Sequence, residues 1–212
     1  LSSAGDWQVY SSPTGNGNKL VINSFAAQSS TTRWNSTSPT SSVFTLNDSG
    51  LGTNLVAYAF QSVAQYSSIG TYTGNSSDNG PIVETGFEPA FLIIKNTSDV
   101  GSWFMYDNKR NTSNPRINYL LANATNVEAS DMGGVDFLSN GFQIKDDHPD
   151  VNDTGDTYLY IAFAADQSAA PVLADSFTNK LYTGTSATHA ITGLGFSPSL
   201  VWIKDRGNAE QH

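Results

Sequence analysis

The stretch Thr157-Tyr-Leu-Tyr-Ile-Ala-Phe-Ala-Ala165 alternates large side chains and ends in an apolar tail, which predicts a buried β-strand. Before it, the run Val135–Lys145 contains Ser139-Asn-Gly141, and Asn-Gly is a strong signal of a hairpin turn. Other short runs suited to strands lie at 70–74, 81–85, 90–95, 102–107 and 116–122. Strands spaced by about ten residues are typical of a β-sandwich or jelly roll. No segment keeps a helical apolar period over three turns, so the sequence predicts an all-β, antiparallel fold.

The same motifs occur more than once along the chain, and always in the same order. The matched pairs are Trp7–Tyr10 with Trp103–Tyr106, Ile22-Asn23 with Ile117-Asn118, Phe44–Leu46 with Phe142–Ile144, Ala57–Phe60 with Tyr160–Phe163, Tyr72–Gly74 with Tyr182–Gly184, Gly86–Pro89 with Gly195–Pro198, and Phe91–Lys95 with Leu200–Lys204. The offset between copies grows at 145–157 and at 164–180, where we expect loops of different length. These matches predict β-sandwich or jelly-roll modules in tandem repeat.

The repeats divide the chain into three parts. Residues 1–66 are the C-terminal part of a first repeat, residues 67–176 are a complete β-sandwich repeat, and residues 177–212 open a third. We therefore expect Leu1 and His212 to be internal residues of a longer polypeptide. The pattern leaves open whether one repeat closes one sandwich or two repeats share one.

The composition favours strands and turns and argues against several partners. Charged residues make up 14% of the chain, and the net charge is −9. An acidic surface repels phosphate, so we expect no nucleic-acid partner, and no apolar run approaches the length that spans a bilayer. The chain has no cysteine, which excludes disulfides, thiolate metal sites and cysteine catalysis.

An acidic segment imitates part of a calcium-binding loop. In Asp150-Val-Asn-Asp-Thr-Gly-Asp156, oxygen-bearing side chains surround a glycine, which makes Asp150, Asn152, Asp153 and Asp156 candidate Ca²⁺ ligands. The twelfth position is Ile161, where such a loop needs a bidentate glutamate. The alternative is a solvated acidic turn with no cofactor.

Aromatic side chains are the candidates for stacking on sugars. Trp7 and Trp103 occupy one repeat position, which favours packing in a core. Trp34 has no repeat partner and lies in a Ser/Thr-rich stretch, so we expect it to be the exposed glycan contact. Lys95 and Lys204 end equivalent strands, and we expect both to be solvated strand ends.

No catalytic constellation is evident. The three histidines are scattered, no Gly-x-Ser-x-Gly motif is present, and the spacing of Glu84, Glu88 and Glu128 fixes no carboxylate pair across a cleft. We expect a protein that is not an enzyme.

Several motifs together carry a resemblance to a known class. They are Tyr72-Thr-Gly-Asn75, Gly86-Phe-Glu-Pro89, Asn140-Gly-Phe142, Tyr158–Phe163, Gly193-Leu-Gly-Phe-Ser-Pro198 and Leu200-Val-Trp-Ile-Lys-Asp-Arg206. The chain resembles repeats in large structural proteins of marine tailed bacteriophages, in the broad class of concanavalin A-like lectin sandwiches. The first repeat departs from this pattern, because no Asn-Gly precedes Phe44.

The resemblance implies a virion component, with a virion or extracellular location. It implies a non-enzymatic structural or adhesive repeat of a tail fibre or similar appendage, with other copies or other virion proteins as partners and host-surface glycans as a further contact. The alternative is a carbohydrate-binding module of a bacterial extracellular surface protein. A polysaccharide-degrading enzyme is a third hypothesis, and it would need paired carboxylates in a cleft.

Overall fold

The computed structural model describes residues 5–47, 49–51, 54–131, 134–165 and 177–205. The chain divides into two compact units. The first unit consists of residues 1–22, 28–61 and 171–212, and the second consists of residues 23–27 and 62–170. No helix among the described residues is long and apolar enough to cross a membrane.

The described residues of the second unit form eight strands and a short helix. They are β6 (Ser67–Thr73), β7 (Ile82–Glu84), β8 (Pro89–Asn96), β9 (Trp103–Asp107), β10 (Leu120–Leu121), β11 (Val135–Leu138), β12 (Gly141–Ile144), α1 (Pro149–Asn152) and β13 (Thr157–Ala164). One sheet has the order β10-β9-β8-β13-β6, and the other has the order β11-β12-β7. Buried side chains from both sheets, among them Leu92, Tyr160 and Phe142, form one apolar core, so the unit is sandwich-like.

Where the structure describes the first unit, it shows eight further strands. They are β1 (Gln8–Ser11), β2 (Asn18–Val21), β3 (Ser29–Ser30), β4 (Val43–Asn47), β5 (Leu55–Phe60), β14 (Phe177–Tyr182), β15 (Thr188–Thr192) and β16 (Leu200–Asp205). The larger sheet has the order β14-β5-β16-β1-β2-β3, and β15 pairs with β4. Its core joins Phe44 and Leu46 of β4 to Val201 and Ile203 of β16. All described strand pairs in both units are antiparallel, as the sequence predicts.

The matched motifs occupy corresponding strands of the two units. The order β14-β5-β16-β1-β2 in the first unit parallels β6-β13-β8-β9-β10 in the second. The registers agree as well: Phe60 faces Leu200 just as Phe163 faces Phe91, and Phe44 faces Ile191 just as Phe142 faces Val83. A register shift of one residue would turn every side chain of a strand to the other face of the sheet. Because the registers agree, matched residues of the two units lie on corresponding faces.

One predicted match is wrong in register. Val9 pairs with Leu20 as Met105 pairs with Leu120, which makes Leu120 the counterpart of Leu20. Ile22 therefore corresponds to Ala122, and both N–H groups donate to the carbonyl of the matching tryptophan at 3.0 Å. Ile117-Asn118 is not the counterpart of Ile22-Asn23, because the longer connection between β9 and β10 displaces the sequence match.

The predicted hairpin is confirmed, since β11 and β12 pair through the turn Ser139-Asn140. The predicted strand at 116–122 shrinks to β10 with isolated bridges at Arg116 and Tyr119. In the first unit, β4 pairs with β15, and none of the described residues forms a counterpart of β11. Phe44 and Leu46 of β4, which no Asn-Gly precedes, are nevertheless buried.

Candidate functional site

The acidic loop, residues 145–156, contains the short helix α1. His148 is its N-cap, and the imidazole Nδ1 accepts a hydrogen bond from the Asp150 N–H at 3.1 Å. Pro149 follows at the start of the helix, where a missing N–H costs nothing. Asp146 fixes the approach, because its carboxylate accepts from the His148 N–H at 2.6 Å. Residues 149–152 of the segment therefore form a capped helical turn.

The side chain of Asn152 is fully buried and makes several hydrogen bonds that hold this loop. Its Oδ1 accepts from the Asn75 N–H at 2.9 Å. Its Nδ2 donates to the carbonyls of Ser77 at 2.9 Å and Asp146 at 2.8 Å. The bonds to Asn75 and Ser77 join the acidic loop to the loop that follows β6, and the bond to Asp146 closes the acidic loop on itself. Asn152 therefore acts as a structural tie between two loops.

The other predicted calcium ligands have separate partners. Asp153 Oδ1 accepts from Ser76 Oγ at 3.1 Å, Asp156 Oδ2 accepts from Asn96 Nδ2 at 2.8 Å, and Asp150 Oδ2 accepts from the Ser102 N–H at 3.4 Å. Within the described part of the chain, no three His, Asp or Glu side chains lie close enough together to hold a metal ion. Calcium binding at this loop stays a prediction to which this geometry adds no support.

Asn96 and Tyr158 make a second group of hydrogen bonds to loop backbone. Asn96 is 1% exposed, and its Oδ1 accepts from the N–H groups of Ser98 at 2.9 Å and Asp99 at 3.0 Å. The Tyr158 hydroxyl donates to the Pro149 carbonyl and accepts from the Asp153 N–H, both at 2.6 Å. Burial is the main cause that raises the pKa of Tyr158, so the phenol stays protonated and can donate.

Tyr72 adds a further tie to the same loop. Its hydroxyl donates to the Val151 carbonyl at 2.6 Å, and its ring stacks on Tyr158 with centroids 5.0 Å apart. Burial raises the pKa of Tyr72 well above its ordinary value. A signal for this contact exists in the sequence, because a tyrosine on a buried strand needs a partner for its hydroxyl.

Lys95 is a buried lysine of the second unit. Its side chain is 0% exposed, and Nζ donates to the carbonyls of Gly101 at 2.8 Å and Phe25 at 3.3 Å. Burial lowers the pKa of Lys95 to about 8, and the charges of Asp150 and Asp99 oppose this shift. The expectation of a solvated strand end is wrong for Lys95, because the loops around it cover the ammonium group.

Trp34 is not an exposed contact, which corrects the sequence prediction. Its side chain is 2% exposed, its Nε1 donates to the Asn18 carbonyl at 2.7 Å, and its ring meets Tyr10 edge-on at 5.6 Å. It belongs to the core of the first unit. A Ser/Thr-rich segment can still bury one large ring, because its own polar side chains bond locally.

Five partly exposed aromatic side chains make ring contacts in the first unit. They are Trp7, Tyr58, Phe60, Phe177 and Trp202. Tyr58 is central to the group, with Trp7 and Phe177 stacked against it at 6.3 and 6.2 Å. We call this group the aromatic cluster. Single-residue reasoning could not find it, because the cluster brings together residues of β14, β5 and β16 and the residue that precedes β1.

The fold and these sites define an antiparallel, all-β, sandwich-like protein in which buried polar ties hold the loops. The sequence matches the family described as Domain of unknown function (DUF7483) over residues 1–167 and 173–212. The chain belongs to this family. No curated protein and no solved structure matches it.

Proposed function

We propose that the chain is a non-enzymatic structural part of a virion appendage, such as a tail fibre, built from β-sandwich or jelly-roll modules in tandem repeat. The observation that supports this proposal is the shared strand order and register of the two units. A module that is repeated along a chain suits an extended assembly, in which neighbouring copies bury further surface.

The repeat limits proposed from the sequence are 1–66, 67–176 and 177–212. The second unit, residues 23–27 and 62–170, coincides closely with the proposed complete repeat. The first unit combines residues from both sides of it. This supports one sandwich per repeat for the second unit, whereas the first unit combines the end of one proposed repeat with the start of another.

The loop chemistry is consistent with a scaffold. Asn152, Asn96 and Tyr158 direct their polar atoms at backbone groups of neighbouring loops. Such bonds fix loop conformation and leave few polar groups to act on a substrate. The partners that suit this role are other copies of the chain and other virion proteins.

Purified particles from the source of the sequence provide the test. Mass spectrometry should detect peptides of this chain in the particles, and gold-labelled antibodies against the chain should mark a tail fibre or another appendage. An unrelated antibody of the same type is the control. Particles that lack the chain, or labelling confined to non-viral material, would refute the proposal.

Glycan contact is the second candidate function, and the aromatic cluster is the observation that favours it. Partly exposed aromatic rings can stack on the apolar faces of sugars. A glycan array should therefore give hits that weaken in Tyr58→Ala, while Phe91→Ala, which changes a partly exposed ring of the second unit, serves as the control. An array without hits, or hits indifferent to Tyr58→Ala, would remove this candidate.

A further inference from the structure

A short segment of the chain belongs to the second unit although its flanking residues belong to the first. This segment, Asn23–Ala27, follows β2, and we call it the strap. Its main anchor is the carbonyl of Phe25, which accepts from the Gly101 N–H at 2.8 Å and from Lys95 Nζ at 3.3 Å. The Phe25 side chain itself is 64% exposed. At Phe25 the strap is therefore held by its backbone carbonyl and not by the ring.

The socket for the strap is organised around the buried ammonium of Lys95. Its Nζ also donates to the Gly101 carbonyl at 2.8 Å, so Gly101 and the strap are fixed by one group. Asp150 and Asp99 supply the negative charge nearby. Hydrogen bonds from a charged donor are stronger than those between neutral groups, and the shielded position of Lys95 keeps water from competing.

We propose that Lys95 is the socket through which one repeat binds the backbone of the strap that follows the β2-equivalent strand of the repeat before it. The partner is thus a named segment of the same polypeptide, recognised through a carbonyl oxygen. This inference rests on the proposed repeat organisation and names the contact that joins consecutive repeats.

The second repeat carries a corresponding strap. Because Leu120 is the counterpart of Leu20, the segment Asn123–Val127 corresponds to Asn23–Ala27. Residues 124–127 are exposed, and Val127 is 87% exposed. Lys204 holds the position of Lys95 in the next copy, since it faces Val56 as Lys95 faces Leu159. We therefore expect the same contact to recur between later repeats of an array.

Chymotrypsin cleavage of the intact chain tests the socket, because chymotrypsin cuts after exposed phenylalanines whose backbone is free to adapt. In Lys95→Met, the bond between Phe25 and Ala26 should be cut about tenfold faster than in the unchanged chain, as expected when a charged hydrogen bond is lost. Lys109→Met, which removes an exposed lysine of the same unit, should leave the rate unchanged.

Hydrogen exchange separates a released strap from a loosened unit. In Lys95→Met the Gly101 amide, which donates to the Phe25 carbonyl, should exchange faster, while the Ile161 amide of β13 stays protected. Equal acceleration at both amides would show that Lys95 supports the core in general, and an unchanged cleavage rate would show that the strap is held otherwise. Either result overturns the socket, and neither depends on whether the chain is found in virions.

Discussion

Both ends of the buried Asn152 amide form hydrogen bonds with backbone groups of another loop. We therefore expect the substitution of Asn152 to lower the free energy of unfolding more than the substitution of an exposed asparagine. Asn152→Ala leaves the Asn75 N–H and two carbonyls without their partner. We expect the free energy of unfolding to fall by about 2–4 kcal/mol, measured by urea denaturation. Asn126→Ala, at an exposed position, should change it by less than about 0.5 kcal/mol. Equal effects of the two substitutions would contradict the role of Asn152.

We expect Lys95 to make the free energy of unfolding depend on pH in the alkaline range. Its pKa is lowered to about 8 in the folded protein, whereas a lysine in an unfolded chain titrates near about 10.4. Below the folded pKa both states hold the proton, and the cost of burying the charge is fully present. Above it the unfolded state binds more protons, so the free energy of unfolding should rise with pH.

Urea denaturation between pH of about 7.5 and about 9.5 checks this dependence, since the buried tyrosines titrate at higher pH. The rise with pH should disappear in Lys95→Met and persist in Lys109→Met. A rise of the same size in both variants would mean that another group causes it.

At single positions, sequence reasoning succeeded where the chemistry is local and failed where it depends on distant neighbours. The Asn-Gly turn was predictable because two residues define it. Calcium binding by Asp150 and its neighbours was predicted from their spacing alone and stays a prediction, whereas the groups that donate hydrogen bonds to these carboxylates lie far away in sequence. Trp34 and Lys95 were expected at the surface, because nothing in the adjacent sequence reveals what covers them.

Among the strands, β12 depends on a glycine at its first residue. A Cβ on Gly141 would lie 2.0 Å from the Val83 carbonyl oxygen of β7, a separation at which backbone must move. Gly141→Ala should therefore separate β12 from β7 and lower the free energy of unfolding by about 2–4 kcal/mol in urea denaturation. Gly17→Ala, where no atom lies within 4 Å of the added carbon, should be nearly neutral. A neutral Gly141→Ala would show that the two strands separate without cost.

Most strands were predictable because each carries its own apolar pattern. The predicted runs at 90–95 and 102–107 lie within one residue of β8 and β9. The run at 116–122 was overestimated, since only Leu120–Leu121 pairs as a strand. Alternation shows that a segment can be a strand, but pairing also needs an open neighbouring edge, which the sequence does not state.

At the scale of the whole chain, each unit has its own core, and equivalent positions should behave alike. Ile94 and Ile203 are 0% and 2% exposed and occupy the same place in their sheets. Ile94→Ala and Ile203→Ala should each cost about 2–5 kcal/mol, with hydrogen exchange accelerated first in the unit that carries the change. Identical exchange patterns for the two variants would indicate one shared core.

The two units also differ in how the chain visits their strands. In the second unit, residues 97–102 connect β8 directly to β9. In the first unit, the counterparts β16 and β1 are separated along the chain by the other described strands of both units and still pair from Gln8–Ile203 to Ser11–Leu200. This pairing therefore forms between strands that are distant in sequence, so we expect a circular permutant of the second unit, opened within residues 97–102, to assemble the same sheet.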